Sequence, residues 1–476
     1  MSKKSSNKKV LSFKKYLVIF LVILSILFSG LIYFINVLPL EYFWVFIATL
    51  GIIDVIVSLL LLSNGHVRNL VGGFFSFILI IGMIFGINYS LNTMDFFKQF
   101  GFNEYKIENY NILVLNTNNY KNIKDLNNQV IGYLDKDKYE GLNKAIDKLS
   151  KKISFKSNIS SDVSDLFTKL EENIVNAIIL EDAQISILKE EVSNFDEIIK
   201  SIDVIEVEIK NKDIGKSVDV VNNSFNIYIS GIDTYGSINK VSRSDVNIIM
   251  SVNPTTKEIL LTNIPRDYYV KLHTFGEYDK LTHAGIYGID ESIHTLEDLF
   301  DTKINYYVKV NFTSLVDIVD ALGGVTVNSK YSFVSQDGYS YKKGENVLDG
   351  KKALSFARER KSFKEGDRVR GENQQLVLTA LINKAMSPKI ITNYVDILKA
   401  LKGKFVTNIN DDEITKLIKM QLEEGSSWSI KSISVNGSDA MDYVYSYKKT
   451  KLYVMKPDEE TVLNAKNNMK KVLENK

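Results

Sequence analysis

The chain begins with three long apolar runs, and the rest of it alternates between shorter apolar and polar stretches. The runs are Tyr16–Leu38, Tyr42–Leu62 and Leu70–Leu91, and only the second holds a charged residue, Asp54. Each run has about the 20 residues that a helix needs to cross a bilayer. The first run is too long for a secretory signal and two more follow it. The pattern therefore predicts three transmembrane helices within residues 16–91.

Positive charges around these runs predict their orientation, because cytoplasmic loops carry an excess of lysine and arginine. The first link, Pro39–Glu41, has no positive charge, whereas the second contains His66 and Arg68. Residues 1–15 are predicted as a cytoplasmic basic arm, whose lysines are Lys3, Lys4, Lys8, Lys9, Lys14 and Lys15. Three spans then place everything after residue 91 outside the cell, which predicts a multi-pass cell-membrane protein with an extracellular catalytic part. Asp54 is either a functional group or a packing residue.

Residues 105–213 show strand-like and helical patterns in alternation. The strand-like runs are Ile112–Leu115, Val130–Tyr133 and Ile174–Leu180, and helical spacing occurs in Leu142–Leu149 and Val163–Leu170. Alternating strands and helices predict a small α/β accessory domain. It contains no chemical motif, which favours a spacer or a partner-binding module. The polar tract Lys210–Val221 is predicted to be a linker.

Residues 224–388 carry the densest pattern. Strands are predicted at Phe225–Ser230, Val246–Val252 and Glu258–Ile264, and the turn Asn253–Thr256 predicts that the last two form a hairpin. A strand at Tyr306–Phe312 and an amphipathic helix at Glu372–Met386 follow. Together with three shorter predicted helices, Ile293–Phe300, Ser314–Leu322 and Lys351–Phe356, these elements predict an α/β (α+β) sandwich with a central sheet flanked by helices. Residues 389–476 are predicted to be a C-terminal extension of the extracytoplasmic part.

Composition narrows the class of protein. The chain has no cysteine, which suits a single-membrane (Gram-positive) bacterium that does not rely on disulfides outside the cell. The net charge of +2 is nearly neutral for 476 residues. The N-terminal lysines are accounted for by topology and anionic lipid, so no nucleic-acid partner is expected.

Arginine is scarce in this lysine-rich chain, yet six arginines lie in short polar motifs of the second half, and five of them are candidates for a site. They are Arg243, Arg266, Arg358, Arg360 and Arg370. A guanidinium holds phosphate or carboxylate oxygens through two parallel hydrogen bonds, which a lysine cannot do. With aspartates nearby, the set predicts a pyrophosphate-binding site.

The spacing of these residues leaves some alternatives open. Arg358 and Arg360 face the same side if the backbone is extended and diverge if it is helical. Arg370 and Gln374 are four residues apart and share one face of the predicted long helix, whose start favours anions. Asp367 either orients an arginine or caps the helix. Arg368 is equally well placed to pair with Glu372.

Two aspartates flank neighbouring strands. Asp233 follows Phe225–Ser230, and Asp245 directly precedes Val246–Val252. If these strands pair antiparallel, both carboxylates come to one edge of the sheet. Such a pair suits Mg²⁺ (or Mn²⁺), which takes one or two carboxylates with waters and phosphate oxygens. The alternative is that both aspartates cap turns. Lys280 and His283, in DKLTHAG, are kept outside the predicted site because a loop histidine is more often structural.

In order along the chain, the motifs GIDTYG, RSDVN, NPTTKEILLTNIPRDYYV, KLTHAG, LVDIVDALGGVTVN, LDGKKALSFARERK and GDRVRGENQQ resemble those of the LytR-CpsA-Psr (LCP) family of cell-wall enzymes. The resemblance covers Phe225–Met386 and leaves the C-terminal tail out. The three spans and the accessory domain are similar to the CpsA-type members linked to capsule biosynthesis. The family's RSD motif usually continues with threonine, and Val246 stands there in this chain.

The resemblance implies a phosphotransferase that moves a glycopolymer from undecaprenyl pyrophosphate to peptidoglycan, at the C6 hydroxyl of N-acetylmuramic acid. It implies pyrophosphate binding by residues matching the family's, which are Arg243, Arg266, Arg358, Arg360, Arg370 and Gln374. It also implies Mg²⁺ at Asp233 and Asp245, and a polyprenyl tunnel between sheet and helices. Capsule-assembly proteins are expected partners. The acceptor's proton goes to Asp245 or Asp233, with Arg266 at the reacting centre.

Two other functions compete with transfer. One is hydrolysis of a polyprenyl pyrophosphate, in which water replaces the sugar hydroxyl at the same site. The other is a non-enzymatic regulator or scaffold of capsule assembly. A transcription regulator is disfavoured, because the motifs are predicted outside the cell and the cytoplasmic arm is short.

Overall fold

In the computed structural model of the protein, three long helices open the chain. The structure describes residues 2–36, 38–97, 105–136, 139–210, 214–232, 238, 242–387, 401 and 403–474. The helices are α1 (Ser2–Ile35), α2 (Leu40–Leu62) and α3 (His66–Phe97). The segments long and apolar enough to cross a membrane are Phe13–Ile35, Leu40–Leu62 and His66–Met94, which confirms the three predicted apolar helices. The predicted basic arm is not a separate element, because α1 already begins at Ser2 and lysine is a good helix former.

Small residues let two of these helices approach closely. A Cβ on Gly72 of α3 would lie 2.7 Å from the backbone nitrogen of Leu61 in α2. Leu21, Leu50 and Met83 are buried between the three helices. In the described part of this bundle, the Oδ1 atom of Asp54 is buried without a hydrogen-bond partner, so the choice between a functional and a packing role stays open.

The accessory region, residues 105–210, is a five-stranded sheet covered by helices. Its elements are β1 (Tyr105–Leu115), β2 (Val130–Leu134), α4 (Glu140–Ser150), β3 (Lys156–Ser160), α5 (Val163–Glu171), β4 (Ala177–Glu181), α6 (Asp182–Glu191), α7 (Phe195–Ile198) and β5 (Ile199–Lys210). The strand order is β3-β2-β4-β1-β5. Strand β5 was not predicted, and it extends to Lys210, the first residue of the predicted linker. Its alternating residues Ile205, Val207 and Ile209 are buried.

The central sheet begins with three antiparallel strands. These are β6 (Phe225–Ile232), β7 (Ser244–Asn253) and β8 (Glu258–Ile264). The predicted hairpin is confirmed by the antiparallel pairing of β7 with β8, and β6 pairs antiparallel with β7 as well. The elements that follow are β9 (Tyr269–Lys271), β10 (Tyr278–Lys280), α8 (Leu281–Ala284), α9 (Ile289–Phe300), β11 (Tyr306–Asn311), α10 (Phe312–Ala321), β12 (Val325–Ser329), β13 (Phe333–Val334), β14 (Ser340–Tyr341), β15 (Gly344–Leu348), α11 (Gly350–Arg358) and α12 (Asp367–Ala385).

Two boundaries differ from the sequence prediction because local hydrogen bonds decide them. Phe312 begins α10 and is not the last residue of a strand, since the Asn311 side chain accepts from Ser314 N and caps the helix. Helix α12 begins at Asp367, five residues before the predicted start at Glu372. Its apolar periodicity fades over DRVRGENQQ, so the pattern alone misses the first turns.

The tail completes the central sheet. Its elements are β16 (Val406–Thr407), α13 (Asp411–Glu424), β17 (Ser429–Ser434), β18 (Gly437–Val444), β19 (Tyr447–Pro457) and α14 (Glu459–Glu474). The sheet order is β16-β11-β6-β7-β8-β17, with β17 parallel to β8. The accessory region, this sheet and the tail from Ser427 belong to one compact unit, whereas the three apolar helices and α13 form another.

Helices cover the central sheet and extend its core. One cluster joins Tyr228, Ile249 and Leu260 of the sheet to α8, α9 and α14. A second cluster lies around Phe356 of α11 and Val377 of α12. This arrangement of helices and mixed strands confirms the predicted α/β sandwich. The ends of β6, β7 and β8 and the start of α12 supply the residues of the candidate site.

Candidate active site

Arg266 lies at the centre of the predicted site. It follows Pro265 directly after β8, where the Pro265 carbonyl accepts a hydrogen bond from Tyr268 N at 3.1 Å and closes a turn. The Nη1 atom of Arg266 is 3.2 Å from both carboxylate oxygens of Asp245. Its Nε atom is 3.4 Å from Asp267. The side chain is only 13% exposed, so its contact with Asp267 is not a surface salt bridge.

A β-bulge places Asp245 opposite Arg266. Strand pairing joins Gly231 to Val246 and Ile232 to Ser244, and the shift of register leaves Asp245 as the extra residue. Bulges of this kind redirect side chains next to active sites. The hydroxyl of Thr282 donates to Asp245 at 3.2 Å. Asp245 is therefore a fixed anion held by a guanidinium and a hydroxyl.

The predicted partner aspartate, Asp233, lies outside the described residues. Residue Ile232 directly precedes it and pairs with Ser244, so the antiparallel pairing on which the two-aspartate prediction depends is present. The pairing of Asp233 itself with a metal stays a prediction. Among the residues that the structure describes, no group of three or more His, Cys, Asp or Glu side chains converges as a metal site.

Arg243 precedes β7 and forms an ion pair with Glu190 of the accessory region. Glu190 Oε1 also lies 3.9 Å from Arg266 Nη2. Burial lowers the pKa of Arg243, although the carboxylates of Asp245 and Asp267 act in the opposite direction. An anionic ligand would therefore gain from both guanidiniums.

The first turn of α12 adds a third arginine. Arg370 is buried and forms an ion pair with Asp367, the first residue of the helix. Burial lowers the pKa of Arg370 and raises that of Asp367. Asp367 thus orients an arginine, as one of the two predicted alternatives stated. Gln374 lies one turn beyond Arg370 and is half-buried.

Arg358 and Arg360 leave the end of α11 in different surroundings. The backbone becomes extended at Glu359, whose buried carboxylate accepts hydrogen bonds from Gln336 N at 2.7 Å and Ser362 N at 3.0 Å. Glu359 therefore faces inward while the two arginines are exposed. The guanidinium of Arg358 lies 4.0 Å from the ring centre of Phe312, whereas Arg360 lines the cavity described next.

A cavity of about 610 Å³ adjoins Arg266. Arg266, Lys280, Arg360 and Asp367 line it, together with Glu190, Asp267, Lys361, Lys364, Glu365, Gly366, Arg368, Asp439, Tyr453 and Met455. The charges of Arg370 and Asp245 also interact with the charge of Arg266. Arg368 donates to the Gly437 carbonyl at 2.9 Å, and Glu372 pairs with Lys330 at 3.0 Å, so the alternative in which Arg368 pairs with Glu372 is not the one observed.

Three further residues join the site beyond those predicted. Lys280 Nζ is 3.5 Å from Asp267 and lines the cavity, although the sequence prediction kept it outside. Thr282 belongs to the same KLTHAG motif, which was a usable signal. No sequence signal pointed to Glu190, because it comes from another region of the chain. His283 is buried between Asp279, at 2.7 Å, and Ser446, at 2.8 Å, which makes it structural.

An apolar sheet face begins next to Asp245. Val308, Ile229 and Ile248 are paired neighbours across β11, β6 and β7, as are Val310, Gly231 and Val246. Paired residues project on the same face of a sheet. Val308, Val310 and Val246 are only half-buried. This face therefore offers partly open apolar surface next to Asp245. It lies close to the three arginines around that residue, Arg243, Arg266 and Arg370, which are called the arginine cluster below.

The pKa of Asp245 is set by opposing effects. Burial raises it, and the nearby charges of Arg266, Arg370 and Arg243 lower it by more, so that it lies below the ordinary value of 3.8. The ionised carboxylate consequently stabilises the folded state at every pH above that value. The stabilisation is lost only as the pH falls through the lowered pKa.

We expect the difference in unfolding free energy between the wild type and Asp245→Asn to be constant from neutral pH down to about 4 and to shrink below it. Chemical denaturation of both proteins over this range measures the difference. A difference that instead grows as the pH falls from about 7 to 5 would mean that the pKa of Asp245 is raised, not lowered, because protonation would then favour the folded state.

The fold and the site define a class: an α/β protein with apolar N-terminal helices and an arginine-rich anion site. The pattern of the LytR_cpsA_psr family matches residues 192–471. The chain belongs to the LytR-CpsA-Psr family. The match includes the tail, so the expectation that the resemblance ends at Met386 is wrong. Strand β17 and helix α14 lie within the match and help to build the same sheet and core as the motifs.

Two teichoic acid transferases and one solved structure are among the proteins to which this chain is similar. The chain is 34% identical over 241 residues to a polyisoprenyl-teichoic acid–peptidoglycan teichoic acid transferase, TagU, of Bacillus licheniformis, covering 50% of this chain and 78% of the relative. It is 38% identical over 207 residues to TagU of Bacillus subtilis, covering 43% and 67%. The solved structure of B. subtilis TagV is 29% identical, with a TM-score of 0.46 over 54% of this chain and 99% of TagV.

Proposed function

We propose that this chain is an extracytoplasmic phosphotransferase of the LCP type. It moves a glycopolymer, which is capsule or another wall polysaccharide, from undecaprenyl pyrophosphate to peptidoglycan and forms a phosphodiester. The names of its relatives, which are transferases of polyisoprenyl-linked teichoic acid to peptidoglycan, support the reaction type. The three apolar helices support a membrane anchor. The lysines and arginine that flank them support an N-terminus in the cytoplasm and a catalytic part outside.

The observation that carries this proposal is the setting of Arg266. It is oriented by Asp245 and shares one cavity with Lys280 and Arg360. Phosphoryl transfer depends on positioning and on neutralising charge around the phosphate, more than on a covalent nucleophile. A mostly buried guanidinium with further cations beside it meets that demand. The cluster fits two linked phosphates better than one isolated carboxylate.

The reaction needs one bond to form and one to break. The acceptor hydroxyl oxygen attacks the phosphorus that carries the glycan, and the bond from that phosphorus to the bridging oxygen breaks. Polyprenyl phosphate leaves with the bridging oxygen, and the hydroxyl proton passes to a carboxylate. Arg266 and Arg370 stabilise the charge that gathers on the leaving phosphate. Asp245 is the described carboxylate placed at this centre, and Asp233 is the alternative base.

The lipid part of the donor needs apolar surface close to the arginines. Val246 directly follows Asp245 and is half-buried. Val308 and Val310 are half-buried on the same sheet face. A polyprenyl chain buries apolar area wherever such a surface is available. Their position supports a lipid path along this sheet face.

A divalent cation fits the oxygen ligands of this site. Asp245 and Asp233 would hold Mg²⁺ (or Mn²⁺), and the Asp367 carboxylate, which also forms the ion pair with Arg370, adds a further oxygen. Hard cations prefer such carboxylates with phosphate oxygens. When bound, the cation would neutralise phosphate charge beside the arginines.

Turnover by the purified full chain tests the proposal. The donor is an undecaprenyl-pyrophosphate-linked oligosaccharide, the acceptor is a soluble peptidoglycan oligomer, and products are separated by mass spectrometry. We expect a glycan–phosphate–peptidoglycan adduct and an equal amount of undecaprenyl phosphate. Donor cleavage without an adduct, in the presence of acceptor, would overturn transfer in favour of hydrolysis. An intact donor would overturn both and favour a scaffold.

A further inference from the structure

A carboxylate from the accessory region occupies the arginine cluster. Glu190, in the last turn of α6, forms an ion pair with Arg243 and lies 3.9 Å from Arg266 Nη2. Glu190 also lines the cavity that contains Arg360 and Lys280. Its side chain is 33% exposed, so it reaches the site from the solvent side and is not locked into a core.

The local structure of α6 does not favour this glutamate. The helix ends in Lys189, Glu190 and Glu191. A helix C-terminus carries partial negative charge and is stabilised by cations rather than carboxylates. A residue that opposes its local preference often serves a site elsewhere. Arg243 and Arg266 of the central-sheet region offset the unfavourable position of Glu190 at the helix end.

The charges around Arg266 show what Glu190 changes. The cations are Arg243, Arg266, Arg360, Arg370 and Lys280, and the carboxylates are Asp245, Asp267, Asp367 and Glu190. Departure of Glu190 raises the net positive charge here by one unit, which favours binding of an anion such as a pyrophosphate diester. Phosphate oxygens and the Glu190 carboxylate also need the same nitrogen atoms of Arg243.

We propose that Glu190 is an intramolecular competitor of the donor's phosphates, so that donor binding expels the end of α6 from the arginine cluster. The proposal rests on the proposed function, because it takes a pyrophosphate as the ligand of these arginines. It gives the accessory region a role that its sequence does not reveal. Donor binding at Arg243 is then thermodynamically coupled to movement of α6.

Binding of geranylgeranyl pyrophosphate to the full chain in detergent, measured by calorimetry at fixed salt, tests the competitor. We expect Glu190→Gln to bind at least about fivefold more tightly than the wild type, since the glutamine has no charge to displace. Glu191→Gln is the matched control, because it removes the same charge one residue further on. The Glu191 carboxylate lies near Tyr447, whose pKa is raised by burial and by this charge. The control should bind like the wild type.

A distance measurement checks the movement. The chain has no cysteine, so spin labels at Ser193→Cys, just after α6, and Lys351→Cys, in α11, report one distance. We expect the ligand to shift this distance in the wild-type background. Equal affinities for Glu190→Gln and wild type, or weaker binding by Glu190→Gln, would overturn the competitor while leaving the proposed function in place. Failure of both proteins to bind would overturn the proposed function itself.

Discussion

Transfer is expected to fall by about a hundred- to a thousandfold when Arg266 is replaced by alanine. The change removes the guanidinium nearest the centre of the cluster. It also leaves Asp245, whose side chain is 11% exposed, without the partner that holds both of its oxygens. The rate of adduct formation at low donor concentration measures the loss, because that rate reports stabilisation of the transition state relative to free protein and donor.

Two further variants show whether the loss of activity comes from the missing charge, from the missing hydrogen-bond geometry or from a change in folding. Arg266→Lys keeps the positive charge but cannot form both hydrogen bonds to Asp245, so we expect it to lose most of the activity as well. Lys330→Ala removes an exposed pair with Glu372 and should transfer at the wild-type rate. Circular dichroism and thermal unfolding verify that all three are folded. Full polymer attachment by a folded Arg266→Ala protein would rule out a role in the reaction and favour a scaffold.

Replacing Asp279 with alanine is expected to lower the free energy of unfolding by about 3–5 kcal/mol. Asp279 is fully buried and accepts hydrogen bonds from Ser446 N at 2.8 Å and Lys280 N at 2.7 Å, while His283 lies at 2.7 Å. Alanine would leave these groups buried without an acceptor. Denaturant unfolding of the full chain in detergent, followed by tryptophan fluorescence, measures the loss.

Asp298→Ala is the matched control for this prediction. Asp298 also contacts a histidine, His273, at 2.7 Å, but both side chains are about half exposed. Exposed pairs contribute little, so we expect a change within about 0.5 kcal/mol. A loss of less than about 1 kcal/mol for Asp279→Ala would show that the buried network does not hold the tail to the KLTHAG segment.

The sequence pattern predicted elements best where apolar residues are continuous or alternate regularly with polar ones. The three apolar helices, the β7–β8 hairpin and the α/β class depend on hydropathy and on turn residues, which are local properties. Strand β17, Ser429–Ser434, has alternating but weak apolar character and lies at the sheet edge. Its pairing with β8 is a contact between distant parts of the chain, which no local pattern encodes.

The site was predictable in its residue types and not in its pairings. Arginine motifs indicated an anion site, and the structure groups Arg243, Arg266 and Arg370 within electrostatic range of Asp245. The bulge that aims Asp245 depends on a shift of strand register, which sequence alone does not fix. Glu190 belongs to a region without any chemical motif. Its position follows only from how two sheets of one compact unit meet.

The hairpin of β18 and β19 has a consequence for biosynthesis. Its residues Val444, Tyr447, Leu452 and Val454 lie in the same core as the accessory sheet, although they are made more than two hundred residues later than that sheet. A nascent accessory region therefore leaves the ribosome with part of its hydrophobic interior missing. This core is completed only after residues 444–454 have been synthesised.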